Sequence, residues 1–319
     1  MSARSVLILL RFPFALFLAP IALFGLVAVM PLDPLRVFLI LVSIHLFLYP
    51  ASNGLNSYYD RDLGPIGGVL KPPMPTKGLL RASLLLDGGA ILIGLLVSPW
   101  YALGLFIYGL CSKAYSWDRL RLKSRPLISL LMISMGQGAV IFLLSAWFAS
   151  AVPYLPAVLG QFATEPYILK GAAVGNFLGP VGVIFSPRLV FGALLSACFL
   201  CGIYPLTQVY QHDEDEARGD LTYSRLVGIR GTFRSSALFF SVTGLGMAAF
   251  FLIYETWLSV AVFALCLLPG MVIFLFWWRA VYKNPEHASF SWMMRMNLST
   301  SCGMNLFLML ELIGLPHIF

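Results

Sequence analysis

Two short stretches of this chain gather polar side chains at spacings that can hold a metal-complexed anion. The first reads Asn56-Ser57-Tyr58-Tyr59-Asp60-Arg61-Asp62, and the four-residue step puts Asn56 and Asp60 on one helix face, one turn apart. An amide and a carboxylate so placed suit a Mg2+ ion shared with a phosphate, because Mg2+ takes few protein oxygens and keeps places for substrate phosphates. The second reads Tyr210-Gln211-His212-Asp213-Glu214-Asp215-Glu216-Ala217-Arg218-Gly219-Asp220-Leu221-Thr222, with Gln211, Asp215 and Gly219 at the same step. Seven of the fourteen acidic residues fall in these two groups. Alone, either group reads as a solvated helix end. Two of them at one depth, each interleaved with a base (Arg61, Arg218) and preceded by aromatics, read as one site for a metal-bound anion.

The elements that position these groups are membrane helices. Of 319 residues 59% are apolar and only 11% charged, and the mean hydropathy is +0.86, which excludes a soluble globular domain. A bilayer core about 30 Å thick needs roughly 20 apolar residues per span. The pattern predicts an all-α, single-domain polytopic protein over 1–319, with nine spans at 12–31, 35–59, 79–98, 100–117, 126–150, 188–211, 235–254, 257–281 and 292–316. The acidic groups then end spans two and six. Basic residues collect on alternate loops, among them Arg4, Lys77, Arg119, Arg225 and Arg279, against only Arg36, Lys170 and Arg188 opposite. By the positive-inside rule the N-terminus and both acidic groups face the cytoplasm and the C-terminus lies outside. The net charge of +7 is thus a topology signal, and nucleic-acid binding is not indicated.

Other polar residues carry less chemistry. The five cysteines (Cys111, Cys198, Cys201, Cys266, Cys302) lie in or beside apolar spans without metal-ligand spacing, and the Cys198/Cys201 pair reads as helix packing. His45 reads as packed within span two. Asp87 and Glu311, inside spans, either face a cavity or pair with polar groups. The glycine-rich run Gly171–Gly182 follows no strand and reads as an irregular external segment.

At the two acidic groups the sequence resembles the UbiA superfamily of intramembrane prenyltransferases, whose signatures are NDxxDxxxD after the second helix and DxxxDxxxG after the sixth. Asn56 and Asp60 match the first; Asp215, Gly219 and Thr222 match the second region. Pro73-Met74-Pro75 with Gly78 resembles the family's RPIPxG turn, and Tyr115 to Pro126 resembles its YS...LKRxP loop. Three family carboxylates are missing: Ser57 and Gly64 replace two in the first signature, and Gln211 replaces one in the second. Asp62 and Asp213, each displaced by two residues, can substitute where the backbone leaves the helix. The resemblance implies a UbiA-like bundle around a central cavity, with a prenyl diphosphate as substrate and Mg2+ as cofactor.

The implied metal ligands are Asn56, Asp60, Asp62, Asp213 and Asp215, of which Asn56, Asp60 and Asp215 are catalytic. A diphosphate needs strong compensation at the membrane edge; the candidate bases are Arg61, Lys71, Lys113, Arg121, Lys123, Arg125 and Arg218, with Gln211 beside them. An allylic cation needs π faces and shelter from water, and Tyr58, Tyr115 and Tyr210 are the expected lining. The expected reaction is transfer of the prenyl group to an acceptor, an aromatic or quinone precursor, in a bacterial inner membrane. The alternatives are a terpene cyclase of the same fold and a transporter or lipid-binding membrane protein.

Overall fold

Long apolar runs, opened by prolines and small polar caps, set the helices. Pro34, Pro99, Pro126 and Pro187 open four of them, where the missing N–H costs nothing. The Asp33 carboxylate accepts the Leu35 and Arg36 amides, and the Ser98, Ser186 and Thr256 hydroxyls cap three further helices. The structure, a computed structural model, describes residues 3–151 and 186–317. Lys170 and the run Gly171–Gly182 lie outside the described residues.

The helices are α1 (Ala3–Val27), α2 (Pro34–Asp60), α3 (Lys77–Val97), α4 (Pro99–Ser116), α5 (Pro126–Ala149), α6 (Pro187–Leu206), the short α7 (His212–Ala217), α8 (Tyr223–Tyr254), α9 (Trp257–Lys283) and α10 (Phe290–Leu312). Among the described residues these are nine long helices, and seven are apolar enough to cross a membrane. The other two, α4 and α10, are long enough but less apolar; α10 buries Asn297, Thr300 and Ser301. The expected count of nine spans is therefore approximate as a number of crossings.

Successive long helices are neighbours, and α10 returns to pack on α1, so the bundle closes on itself. Its far half is plugged by aromatic rings from four helices: Phe24 of α1 lies 4.9 Å from Phe250 of α8 and 5.0 Å from Phe142 of α5, and Phe251 of α8 lies 4.7 Å from Phe307 of α10. Such offset and edge-on pairs add to area burial. On the outside, Leu85, Leu92 and Leu96 of α3 are 76%, 67% and 72% exposed, as expected of side chains that face lipid. The acidic ends of α2 and α6 lie at the opposite, unplugged end.

Candidate active site

Helix α2 stops at Asp60 because Arg61 takes a left-handed conformation, φ 51°, with its N–H donating to the Ser57 carbonyl at 3.2 Å. The backbone leaves the helix there, so Asp62 swings back to the side of Asp60, and both carboxylates are buried. In the second group the glycine has a backbone task. Gly219 sits at φ 74°, closing α7: its N–H donates to Glu216 O at 2.9 Å and that of Asp220 to Asp215 O at 2.8 Å. This left-handed closure is one that glycine adopts without steric cost. It turns the buried Asp220 beside Asp215.

The two groups meet through a chain of ion pairs. Asp60 accepts from Asn56 Nδ2 at 2.7 Å and pairs with Lys123; Arg121 lies 3.8 Å from it. Arg121 grips Asp220 with two bonds, of 2.7 and 2.8 Å. Arg218 donates to Asp62 at 2.6 Å, to Asp215 at 3.1 Å and to the Asp60 carbonyl at 3.2 Å. The Thr222 hydroxyl donates to the other Asp215 oxygen at 3.3 Å. Burial pushes the Asp220 carboxyl up, but the Arg121 bonds and the nearby Lys123 and Arg218 outweigh it and hold Asp220 below the usual carboxylate range. Asp215 is raised by burial, which Arg218 offsets only in part. Burial opposes charge on Arg218 as well, and its bond to Asp62 prevails, so its pKa rises.

Beneath these pairs lies a cavity of about 290 Å³ lined at its rim by Asn56, Asp60, Asp62, Lys123, Asp215 and Arg218. Deeper, the Tyr115 and Tyr204 hydroxyls share a 2.7 Å hydrogen bond, and Tyr210, Phe14 and Phe199 line the walls. The cavity is built against a π-helical segment of α5, Ser134–Val140, which supplies Gly136 and Gln137. Such segments recur at functional sites. A second, apolar chamber of about 530 Å³ shares Ile21 and Phe199 with the first and is walled by Phe240, Phe274, Trp278 and Met304.

Six of the expected residues stand apart from the cavity. Asp213 is exposed on α7, because two residues before Asp215 a helix points elsewhere; of the two displaced carboxylates, Asp62 lines the cavity and Asp213 does not. Arg61, Lys71 and Arg125 are exposed and line no part of it. Tyr58 packs against Leu9, Leu10, Ile66 and Leu79 on the other side of α2. Lys113 is committed to Asp87, which joins α3 to α4. Gln211 does line the cavity, and its amide donates to the Pro65 carbonyl at 3.2 Å.

A further cation, Arg11, belongs to the cavity. It lines the cavity, is only 8% exposed and donates to the Asn53 carbonyl at 3.2 Å, while its Nε has no partner. Its signal was the Arg-Phe-Pro break in α1, where it adopts φ 52°. Gln208 and Asn297 also line the cavity without any sequence signal.

The cavity lining thus holds three cations (Arg11, Lys123, Arg218) and three carboxylates (Asp60, Asp62, Asp215). A rim so balanced has no surplus charge for a diphosphate, so an added cation fits. Among the described residues no three His, Cys, Asp or Glu side chains form a cage that could hold a metal by themselves. Asn56 and Asp60, one turn apart at the cavity wall, are the pair able to hold one divalent ion together with phosphate oxygens.

The fold has close counterparts. A UbiA homologue from Aeropyrum pernix K1, without ligand, superposes with a TM-score of 0.64 at 14% identity, over 95% of this chain and 99% of that one. A UbiA homologue from Archaeoglobus fulgidus, bound to GPP and Mg2+, superposes at 0.58 and 15% identity over the same shares; its form bound to DMAPP and Mg2+ gives 0.59 and 15%. No curated protein matches the sequence significantly. The model of the UbiA prenyltransferase family matches residues 17–299, nearly the whole bundle, and this multi-pass integral membrane protein belongs to that family.

Proposed function

We propose that the chain transfers a prenyl group from a prenyl diphosphate to an acceptor inside the membrane, with Mg2+ as cofactor. The observation that carries the reading is the junction of the two acidic groups, charged and buried, directly over a cavity of tyrosine and phenylalanine. The Archaeoglobus homologue, with GPP and Mg2+ bound, adds support. The topology reading puts this rim on the cytoplasmic side, and the whole chain acts as one catalytic domain.

In this reading the diphosphate lies at the rim and the prenyl tail in the apolar depth. Arg11 is the cavity-lining cation without a carboxylate partner among the described residues, so it is the first to meet the diphosphate. Lys123 follows, exchanging part of its pairing with Asp60 for phosphate oxygens, while Arg218 adds its charge from its place on Asp62 and Asp215. When bound, Mg2+ supplies further positive charge to the leaving group, with Asn56 and Asp60 as its ligands and Asp215 closing the rim through Arg218. The bond from the prenyl C1 to oxygen breaks, and its electron pair leaves with the diphosphate. Fixed charges aimed at that oxygen lower the barrier without reorganising. Tyr115, held by Tyr204, and Tyr210 present rings to the allylic cation, and the aromatic walls exclude water. The acceptor's electrons then form the new carbon bond, and the acceptor loses a proton.

The test is product formation by purified protein with Mg2+, prenyl diphosphates of several lengths, and aromatic acceptors present or absent. Acceptor-dependent product supports transfer. Diphosphate and a terpene released equally without acceptor mean cyclisation, and no release with any donor sinks the enzymatic reading.

A further inference from the structure

The two acidic groups are joined by protein contacts at the positions where the family pattern sets metal-binding carboxylates. Gln211, in place of an Asp, ties α7 to the loop after α2 through the Pro65 carbonyl. Gly64, in place of another, gives its amide, with that of Leu63, to the Glu214 carboxylate. A Cβ at Gly64 would meet Glu214 Oε1 at 3.1 Å, so this clasp suits glycine and would crowd an aspartate. Between them Arg218 reaches Asp62 at 2.6 Å and Asp215 at 3.1 Å, and its Nε lies 3.6 Å from Asp220. The Asp62 and Asp215 side chains are 5% and 7% exposed.

A metal ion that bridges two groups needs carboxylate oxygens free to turn toward it. Here Asp62 Oδ1 and Asp215 Oδ1 both accept from one planar guanidinium, which carries a fixed charge and directed donors, whereas Asp60 pairs with Lys123, a point charge on a flexible stem. Withdrawing one partner from such a buried pair leaves an uncompensated charge, so the arrangement resists replacement by an ion. We propose that Arg218 takes the place of a second divalent ion between the two acidic groups. This chain then ionises its diphosphate donor with a single divalent ion, held by Asn56 and Asp60, and with Arg218 as the second, permanent cation.

The inference rests on the prenyl diphosphate reading, and its test reads stoichiometry in place of turnover. Purified protein in detergent is saturated with geranyl S-thiolodiphosphate, a donor analogue that resists ionisation, and bound Mn2+ is counted by electron paramagnetic resonance, with analogue alone subtracted. The expected count is about one Mn2+ per chain, and Arg218→Gln, which frees Asp62 and Asp215, raises it to about two. A wild-type count near two, a wild-type count of zero, or an unchanged count in folded Arg218→Gln overturns the proposal. If that variant does not fold, the wild-type count alone decides. Donor ionisation is assayed separately with geranyl diphosphate: release alongside a count of two sinks only the Arg218 role. A count of one without release from any donor sinks only the transfer reading.

Discussion

The Asp62 carboxylate, at the end of α2, accepts a 2.6 Å hydrogen bond from Arg218, just past α7, and this bond joins the two halves of the site. Residues 156 apart in the chain thereby share one charge network at the rim of the cavity. Asp62→Asn keeps the shape and removes the charge. It is expected to lower kcat by roughly tenfold to a hundredfold, the range for losing an outer partner of a catalytic group. Steady-state diphosphate release reads it, and an unchanged kcat means the two halves act independently.

Arg11 gives a different signature. With only a backbone carbonyl to hold, it is free to bind the donor. A hydrogen bond to a charged group contributes about 1.5–3 kcal/mol, so Arg11→Gln is expected to raise KM for the prenyl diphosphate by at least about tenfold. Because that contact exists before and during ionisation, kcat should change little. A fall in kcat at constant KM would assign Arg11 to the transition state instead.

Acid stability should split the two aspartates of the second group. Asp220 lies below the usual carboxylate range in the folded chain, so its contribution is complete above its unfolded pKa of about 3.9 and is lost as pH falls through the lower folded value. Asp215 is raised by burial, so it favours the folded state while protonated, and that contribution is lost as pH rises through its folded value. Thermal unfolding midpoints between about pH 3 and 6 should therefore show a flatter acid limb in Asp220→Asn and a steeper one in Asp215→Asn. The same slope in both variants would contradict the opposite shifts.

Gly219 is a backbone requirement. At φ 74° an alanine is strained, and Gly219→Ala should cost about 1–2 kcal/mol and turn Asp220 away from Arg121. The expected result is a lower unfolding midpoint with activity reduced, and Gly219→Asn, which tolerates this region better, should recover part of both.

Much of this was legible in the sequence because membrane helices announce themselves through uninterrupted apolar length. The limits of the expected spans erred where polar residues sit inside helices: α1 begins at Ala3, ahead of Arg4 and Arg11, and after a break at Gly228, φ 73°, α8 continues with Arg230 and Arg234 helical. That Asn56, Asp60 and Asp215 turn toward one cavity was readable from a four-residue step, since the helix face follows from it directly. Arg61 and Asp213 were not, because their side-chain directions depend on where the helix ends. A left-handed residue at position 61 exposes Arg61 and turns Asp62 inward, while Asp213 remains within α7. The pairing of Lys113 with Asp87 and the clasp of Glu214 on Gly64 are long-range contacts with no local signature.

The most direct test of the central claim is diphosphate release by the purified protein in detergent, with geranylgeranyl diphosphate and shorter or longer donors, with and without Mg2+. Release that requires Mg2+ and is lost in both Asp60→Ala and Asp215→Ala is the predicted result. Release that persists in either variant, or that proceeds equally in the presence of a chelator, would contradict it.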